Sequence, residues 1–302
     1  MKPERILLNY KKNKVLYWMI LPVITYVCIF NYLPMFGLTM AFQNYSLTGG
    51  IFGSKWIWFD NFKDFFQGLY FQRTLNNTLL ISFYTLLFAF PAPIIFALML
   101  NEVRHTGFKK IVQTVSYMPH FISMIVVVSL INDFTNSKGV IASIVAALGG
   151  TPRSYATDPA SFRTVFVISE IWQQIGFNSI IYLAALSGVS EELYEAAELD
   201  GAGRIAQLFH VTLPGIASTI IIMFILRCGA LMTVNFEKIL LMYSPATYET
   251  ADVIQTYVYR IGIIKQKIGY STAVGLFNSI ISLGLIVLAN NLSRKYTEVS
   301  MF

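Results

Sequence analysis

A run of acidic and small residues near the middle of the chain is the most chemically distinctive stretch of the sequence. Its acids are Glu191, Glu192, Glu195, Glu198 and Asp200, and the small residues Ala196, Ala197 and Gly201 stand among them. Carboxylates attract a basic protein surface, and small side chains let another backbone approach closely. The stretch predicts a docking surface for a protein partner, with an ordinary solvated loop that carries a run of charges as the alternative.

The local signals in this stretch predict a helix-turn-helix elbow. Ser190 is a suitable N-cap for a short helix over about residues 191–200, whose first turn carries the negative charge that the helix dipole favours. Gly201 provides a stop for this helix. A second short helix follows over about residues 202–211, and Pro214 then begins a long helix at a position where proline is tolerated.

Polar side chains within apolar segments are candidates for the path of a solute. They combine amides, a hydroxyl, an aromatic ring, an acid and a base: Asn132, Glu170, Trp172, Gln173, Asn178, Tyr182 and Arg227. Amides, hydroxyls and aromatic faces are the groups that bind sugars, but the same groups also join neighbouring membrane helices. Glu170 and Arg227 lie at similar depths, so we consider an ion pair between them, with contact to a companion subunit and pore lining as equal alternatives for Arg227. His120, after Pro119, is expected to bond a carbonyl freed by a proline kink.

Motifs for hydrolytic chemistry are absent from the sequence. There is no G-x-x-x-x-G-K-[ST] phosphate loop, no H-E-x-x-H and no G-x-S-x-G, and the three histidines lie in separate segments. The chain is therefore expected to bind no cofactor or metal and to have no enzymatic activity of its own. Energy has to reach it through a partner.

The composition indicates a protein whose solvent is largely lipid. Of 302 residues, 55% are hydrophobic and 13% are charged, whereas a soluble domain has about 25% charged residues. The net charge of +6 does not indicate nucleic acid as a partner, because the basic residues flank apolar segments instead of forming one basic face.

Apolar segments predict an all-α integral membrane protein with six transmembrane helices. The predicted membrane helices cover residues 15–33, 79–100, 111–131, 164–186, 214–234 and 272–289. A basic segment, 1–14, precedes a membrane domain, 15–293, and a tail, 294–302, follows. The basic head is expected to stay in the cytoplasm, so that the loop 188–214 and both termini are cytoplasmic.

The spacing within the elbow resembles a known family. Glu195-Ala196-Ala197, Gly201, Val211, Leu213 and Pro214 are spaced as in the EAA loop of the permease subunits of bacterial ABC importers, with Val211 where isoleucine is commoner. Residues 195–202 are similar to the carbohydrate-uptake branch of this family. The segments 37–45, 58–62 and 243–293 resemble the subfamily for oligosaccharides cut from complex polysaccharides.

This resemblance implies a type I importer permease fold in the bacterial cytoplasmic membrane. The residues that would couple to the ATPase are Glu195, Ala196, Ala197, Asp200, Gly201, Ala202, Leu213 and Pro214. The implied partners are a second homologous permease, two copies of a cytoplasmic ATPase that binds ATP and Mg, an extracytoplasmic solute-binding protein or lipoprotein, and an oligosaccharide. ATPase closure would move the elbow and switch the access of a central cavity.

Two other classes of protein compete with this interpretation. A self-sufficient secondary transporter or channel needs its own ion-coupling groups, and the predicted helices contain few beyond Glu170, Arg227 and His120. A membrane-embedded enzyme needs a nucleophile with its base or a metal centre, and the sequence shows neither.

Overall fold

The computed structural model describes residues 13–297 and 299–301, so the predicted basic segment 1–14 lies almost wholly outside the described residues. The described chain is mostly helical and divides into two compact units. Among the described residues, one unit comprises 13–66 and 261–276, and the other comprises 67–260, 277–297 and 299–301.

A long apolar helical run opens the described part of the first unit. Helix α1 (Lys14–Val27) continues through a π-helical turn, Cys28–Tyr32, and a 3-10 segment, Leu33–Phe42. The whole run, Lys14–Phe42, has 29 residues and extends well beyond the predicted helix 15–33. None of the side chains in Lys14–Val27 is buried.

The segment that follows α1 is held by its own hydrogen bonds. Its elements are β1 (Gln43–Asn44), α2 (Gly50–Gly53), β2 (Lys55–Trp56) and α3 (Asp60–Phe66). The two strands pair antiparallel, and Asn61 Nδ2 donates to the carbonyl oxygens of Ala41 (2.8 Å) and Gln43 (3.1 Å). In the same unit, a Cβ on Gly269 would stand 2.6 Å from the Gln43 oxygen, so glycine is required there.

The second unit begins with helices that proline residues interrupt. They are α4 (Phe71–Tyr84), α5 (Pro91–Glu102), α6 (Thr106–Tyr117), α7 (Met124–Thr135) and α8 (Val140–Ala147). A π-helical segment, Thr85–Ala89, joins α4 to α5 immediately before Pro91. The prediction of one continuous helix over 111–131 is wrong, because a 3-10 turn at Met118–Phe121 and an extended Ile122 separate α6 from α7. Pro119 lacks the N–H that a continuous helix would use.

A long helix and a bent pair form the middle of this unit. The elements are α9 (Pro159–Leu186), α10 (Glu191–Leu199), α11 (Arg204–Gln207), α12 (Leu213–Gly215) and α13 (Ala217–Gly229). A π-helical segment, Leu208–Thr212, connects α11 to α12. The run Arg204–Gly215 then meets Ala217–Gly229 at an angle of 61°.

The last elements are α14 (Phe236–Met242), α15 (Tyr248–Ala251), α16 (Ile254–Tyr259) and α17 (Ile268–Thr297).

The segment around α15 is anchored by Asp252, which is fully buried. Its carboxylate accepts hydrogen bonds from Arg73 (2.8 Å) and Arg260 (2.6 Å). Burial alone would lower the pKa of the Arg260 guanidinium, but hydrogen bonds and the charge of Asp252 raise this pKa above its usual value. Asn77 Nδ2 adds a bond to the Asp252 carbonyl oxygen at 3.1 Å.

Four helical runs among the described residues are long and apolar enough to cross a membrane. They are Lys14–Phe42, Phe71–Glu102, Met124–Ala147 and Ile268–Thr297, and the bent pair Arg204–Gly215 with Ala217–Gly229 makes a fifth if it is one span. Helix α9 has 28 residues, which is long enough to cross, but its polar side chains keep its hydropathy below that of a lipid-exposed helix.

Close packing of α6 against α9 fixes one wall of the second unit. A Cβ on Gly176 would lie 2.2 Å from the carbonyl oxygen of Ser116, a distance that no real side chain allows. On other faces, α9 contributes Phe162 and Phe166 to one apolar cluster and Tyr182 and Leu186 to another. Helix α9 is therefore the central packing element of this unit.

Candidate functional site

The acidic stretch forms the elbow that the sequence predicts, with its first helix capped at both ends. Ser190 Oγ accepts a hydrogen bond from the backbone N–H of Glu192 (3.3 Å), which satisfies one of the free donors at the start of α10. Gly201 has a φ of +79°. The Gly201 N–H donates to the Glu198 oxygen (3.0 Å) and the Ala202 N–H to the Ala197 oxygen (2.8 Å). This pair of bonds is the Schellman arrangement that ends a helix at a left-handed glycine.

The second half of the elbow differs from the prediction. The structure has a helical run over Arg204–Gly215, so Pro214 lies near the end of this run and does not begin the next long helix. The bend falls at Ile216, whose backbone has φ −106° and ψ 5°. Pro214 and Gly215, both weak helix formers, directly precede the bend.

Two side-chain contacts hold the elbow in shape. Tyr194 Oη on α10 donates to Thr212 Oγ1 at 3.0 Å. At the base of the elbow, a Cβ on Gly215 would come within 2.8 Å of the Val189 side chain. Val189, near the start of the elbow, and Gly215, just after its end, are therefore close together, and α10 is tied to the run that follows it.

Most of the predicted coupling residues are accessible on this elbow. Exposed positions are Glu195, Ala196, Asp200, Gly201 and Pro214, and half-buried positions are Ala197, Ala202 and Leu213. The sequence reasoning missed an apolar component, because Leu199 is 90% exposed and Ile205 is 75% exposed. An exposed apolar group rimmed by charged residues is typical of a protein-binding surface, and the charge-based reading of this stretch did not weigh it.

A cavity of about 270 Å³ lies between α9, α13 and the segment around Pro91. This volume is close to the lower end of the range for small-molecule sites, about 300 Å³. Its lining consists of Ala89, Phe90, Pro93, Glu170, Gln174, Asn178, Tyr182, Met223, Leu226, Arg227 and Ala230. The cavity lining thus contains four of the predicted path residues: Glu170, Asn178, Tyr182 and Arg227.

The proposed ion pair between Glu170 and Arg227 is wrong for this structure. Glu170 instead pairs with Lys238 on α14 (Nζ to Oε2, 3.2 Å) and accepts a hydrogen bond from Asn235 Nδ2 (3.3 Å). The Lys238 side chain is completely buried. Burial lowers the pKa of this ammonium group, and the adjacent Glu170 carboxylate opposes that effect. The Arg227 side chain has no hydrogen bond or ion pair within residues 13–297 and 299–301.

His120 reaches the cavity wall through another side chain. Its Nδ1 lies 2.8 Å from Gln174 Oε1, and its ring stacks on Phe177 with 3.8 Å between the ring centroids. The expected bond to a carbonyl freed by Pro119 is therefore replaced by a bond to an amide of α9. Since an amide oxygen only accepts, this contact requires a proton on Nδ1.

Three predicted path residues lie outside the cavity lining. Asn132 and Trp172 are exposed on other faces of α7 and α9. Gln173 is buried, with Nε2 at 4.0 Å from the Met124 sulfur. Helical periodicity explains the difference for α9, because residues 170, 174 and 178 share one face and 172 and 173 do not. The missed member of that face is Gln174, which the same periodicity identifies.

Comparisons with known proteins give a consistent result. The family model described as "Binding-protein-dependent transport system inner membrane component" matches residues 89–298. Protein LplB of Bacillus subtilis (strain 168) is 45% identical over 97% of this chain and 92% of its own length. The polygalacturonan/rhamnogalacturonan transport system permease protein YteP of the same organism is 40% identical over 100% of this chain and 94% of its own length.

A solved structure also contains a chain that is similar to this one over nearly its whole length. A crystal structure of a bacterial alginate ABC transporter, in complex with an alginate pentasaccharide-bound periplasmic protein, contains a chain that is 41% identical. The match covers 98% of this chain and 100% of that chain, with a TM-score of 0.90.

Proposed function

The chain belongs to the family of binding-protein-dependent transport system inner membrane components, and from that premise we propose that it carries oligosaccharides through the membrane with energy received at the elbow 188–214. It is a permease subunit of an ABC sugar importer in the cytoplasmic membrane. It is not an enzyme, since ATP hydrolysis belongs to a separate subunit. ATP and Mg are bound on that ATPase and not by this chain.

The observation that carries this proposal is the position of the elbow between the two helices that form most of the cavity. Helix α9 places Glu170, Gln174, Asn178 and Tyr182 on the cavity wall and ends at Leu186. The elbow follows directly, and α13 then places Arg227 on the same wall. A force applied to the elbow therefore acts on both walls of the cavity through short, hydrogen-bonded connections.

Six crossings follow if the polar helix α9 also spans the membrane. The five candidate spans then combine with α9, whose polar face is turned toward the cavity and away from lipid. An even number of crossings places both termini on one side, and the lysines and arginines of the head favour the cytoplasm. The elbow is then cytoplasmic, where an ATPase reaches it.

The mechanism is alternating access driven from the cytoplasm. Closure of two ATPase subunits pushes the elbows of this chain and of a second, homologous permease. Tilting of α9 and α13 opens the cavity toward the docked solute-binding protein, and ATP hydrolysis reverses the tilt and releases the sugar inside. The residues that receive the push are Glu195, Ala196, Ala197, Asp200, Gly201, Ala202, Leu213 and Pro214.

Oligosaccharides are the substrate class that the relatives support. YteP is described as a permease for polygalacturonan and rhamnogalacturonan, and the alginate transporter was solved with an alginate pentasaccharide-bound periplasmic protein. The cavity offers amide, hydroxyl and aromatic groups, which bind sugar hydroxyls and rings. Similarity to ABC permeases over the whole chain favours this function over a self-sufficient secondary transporter.

Copurification tests the proposal. The tagged chain, extracted from native membranes in mild detergent, should bring with it a second permease and an ATPase that mass spectrometry identifies. Ala197→Trp should remove the ATPase, because a large side chain on α10 blocks close approach of the ATPase surface. Ala246→Trp, an equally large change at an exposed position beyond the elbow, is the matched control and should keep it. Sugar transport by the wild-type chain alone in liposomes would contradict the proposal.

A further inference from the structure

The cavity lining and the buried lysine that contacts it together carry a net positive charge. Glu170 is the acidic residue of the lining and Arg227 is the basic one. The negative charge of Glu170 is already matched by Lys238, whose Nζ lies 3.2 Å from Oε2 and whose side chain is completely buried. Counting Lys238 with the lining leaves one positive charge, that of Arg227.

Arg227 holds this charge without a partner in the described residues. It is half-buried on α13, in a segment apolar enough to lie in the membrane. A cation at such depth is stabilised only by water, by an acid or by another strong acceptor. Lys238 and Asn235 both bond to Glu170 Oε2, and the structure has no ion pair between Glu170 and Arg227.

The neighbouring groups of the cavity are neutral hydrogen-bonding groups. Asn178 and Tyr182 lie on the same wall as Glu170, and Gln174 lies between Glu170 and Asn178. The bond from His120 Nδ1 to Gln174 Oε1 (2.8 Å) occupies the amide oxygen and leaves the amide N–H groups as donors toward the cavity. A ligand with an anionic group and several hydroxyls would satisfy the guanidinium and these donors together.

We propose that the cavity selects acidic oligosaccharides and that the Arg227 guanidinium binds the carboxylate of a uronic acid residue in them. The inference rests on the proposed function and adds to it the chemical class of the sugar. A guanidinium and a carboxylate form two parallel, charge-assisted hydrogen bonds, which are stronger than bonds to hydroxyls. Lys238 contributes by neutralising Glu170, which would otherwise repel the same carboxylate. The alginate transporter, whose substrate is described as an acidic polysaccharide, is consistent with this choice.

Direct binding to the permease–ATPase complex tests the inference without the solute-binding protein. The probes are trigalacturonate and trimannuronate, each compared with the trimer in which every carboxyl group has been reduced to an alcohol. Saturation-transfer NMR on the detergent-solubilised complex detects binding in the millimolar range. The variants are Arg227→Gln, Arg227→Lys and, as a matched control, Arg104→Gln at an exposed position outside the cavity lining.

We expect the wild-type complex to bind at least one acidic trimer at least tenfold more tightly than its reduced form. Arg227→Gln should remove this preference, Arg227→Lys should keep part of it because the charge remains, and Arg104→Gln should keep all of it. Equal binding of acidic and reduced trimers to the wild type, or an unchanged preference in Arg227→Gln, would overturn the inference.

Uptake by the complete importer separates this inference from the proposed function. Cells that express the importer with its own binding protein receive a mixed pool of acidic and neutral oligosaccharides, and mass spectrometry identifies what enters. Import of acidic members supports both proposals. Import of neutral members alone overturns the acidic preference and leaves the permease function intact, and import of no oligosaccharide overturns the proposed function itself.

Discussion

Among the residues proposed to couple to the ATPase, Gly201 is the best position at which to test the proposed coupling role separately from the folding of the elbow. Its φ is +79°, and a Cβ there would meet no other atom within 4 Å. Backbone strain alone therefore opposes a substitution. For a β-branched residue this strain is about 1–3 kcal/mol, whereas asparagine adopts left-handed conformations with less difficulty.

We expect Gly201→Val to reduce sugar uptake at least tenfold, because a distorted end of α10 no longer fits the ATPase, while ATP turnover continues. Gly201→Asn should remain within about threefold of the wild type, since its side chain tolerates this φ. Both rates are measured in the same proteoliposomes. Equal uptake by the two variants would show that the left-handed turn is not needed for coupling.

The buried pair of Glu170 and Lys238 predicts a marked non-additivity. Lys238→Met leaves the Glu170 carboxylate without its cation, and removal of one partner from a buried pair lowers stability by about 3 kcal/mol. The double variant Glu170→Gln/Lys238→Met removes both charges and should unfold at nearly the wild-type temperature. Fluorescence-detected thermal unfolding of the detergent-solubilised chain measures both, and additive losses would contradict the pair.

The sequence alone did not predict the ion-pair partner of Glu170. Helical rise places Glu170 and Arg227 at similar depths, and the structure does bring both to one cavity. Depth along a helix does not specify which way a side chain points around it. The partner is Lys238, 68 residues away in a segment with no membrane signal, and that contact depends on the folding of α14 over α9.

Local capping signals predicted the two ends of α10 correctly, but the start of α9 was predicted too late. Ser190 and Gly201 bound α10 as expected. The start of α9 was placed five residues late, although Asp158 and Pro159 form a standard N-cap and first-turn pair. The break between α6 and α7 is stabilised by contacts of His120 and Phe121 with α9, which a single segment does not encode.

Contact between α6 and α9 gives a prediction for two glycines within helices. Alanine normally stabilises a helix by about 1 kcal/mol relative to glycine. Gly284→Ala on α17 meets no atom within 4 Å and should keep or raise the unfolding temperature. Gly176→Ala would place a methyl group 2.2 Å from the Ser116 oxygen and should lower it by several degrees.

Thermal unfolding of the two single variants in the same detergent measures this difference. Because both changes are the same substitution within a helix, intrinsic propensity cancels between them. A stabilised Gly176→Ala variant would show that α6 and α9 are not in close contact at this point.

In the assembled importer, we expect the exposed apolar residues of the elbow to be buried against the ATPase. Leu199 is 90% exposed and Ile205 is 75% exposed. Burial of such side chains in an interface contributes about 1.5–3 kcal/mol each. We expect Leu199→Ser/Ile205→Ser to lose the copurifying ATPase.

Leu148→Ser is the matched control, because Leu148 is 83% exposed and lies after α8, outside the elbow. This variant should retain the ATPase. Loss of the ATPase in both variants would indicate a general loss of folding, and retention in both would place the docking surface elsewhere.

The family and the shape of the elbow were predictable from the sequence because the residues that indicate them lie in one contiguous segment with fixed spacing. The cavity was predictable only in part, since its walls come from α9, α13 and the segment around Pro91, which approach each other through tertiary packing. Gln174, Leu199 and Ile205 were missed because their roles depend on which face of a helix is left uncovered.

The caps at both ends of α10 have a practical consequence. The segment from Ser190 to Gly203 contains the residues that begin and end this helix, so it has most of the local interactions that determine the helix's conformation. A free peptide of this length is nevertheless only partly helical in water. A lactam-constrained peptide of this segment would present the acidic and apolar surface of the elbow to the ATPase. Such a peptide should compete with the permease for the ATPase and so inhibit assembly of the importer. Because it binds the ATPase, its effect should not depend on which sugar the importer carries.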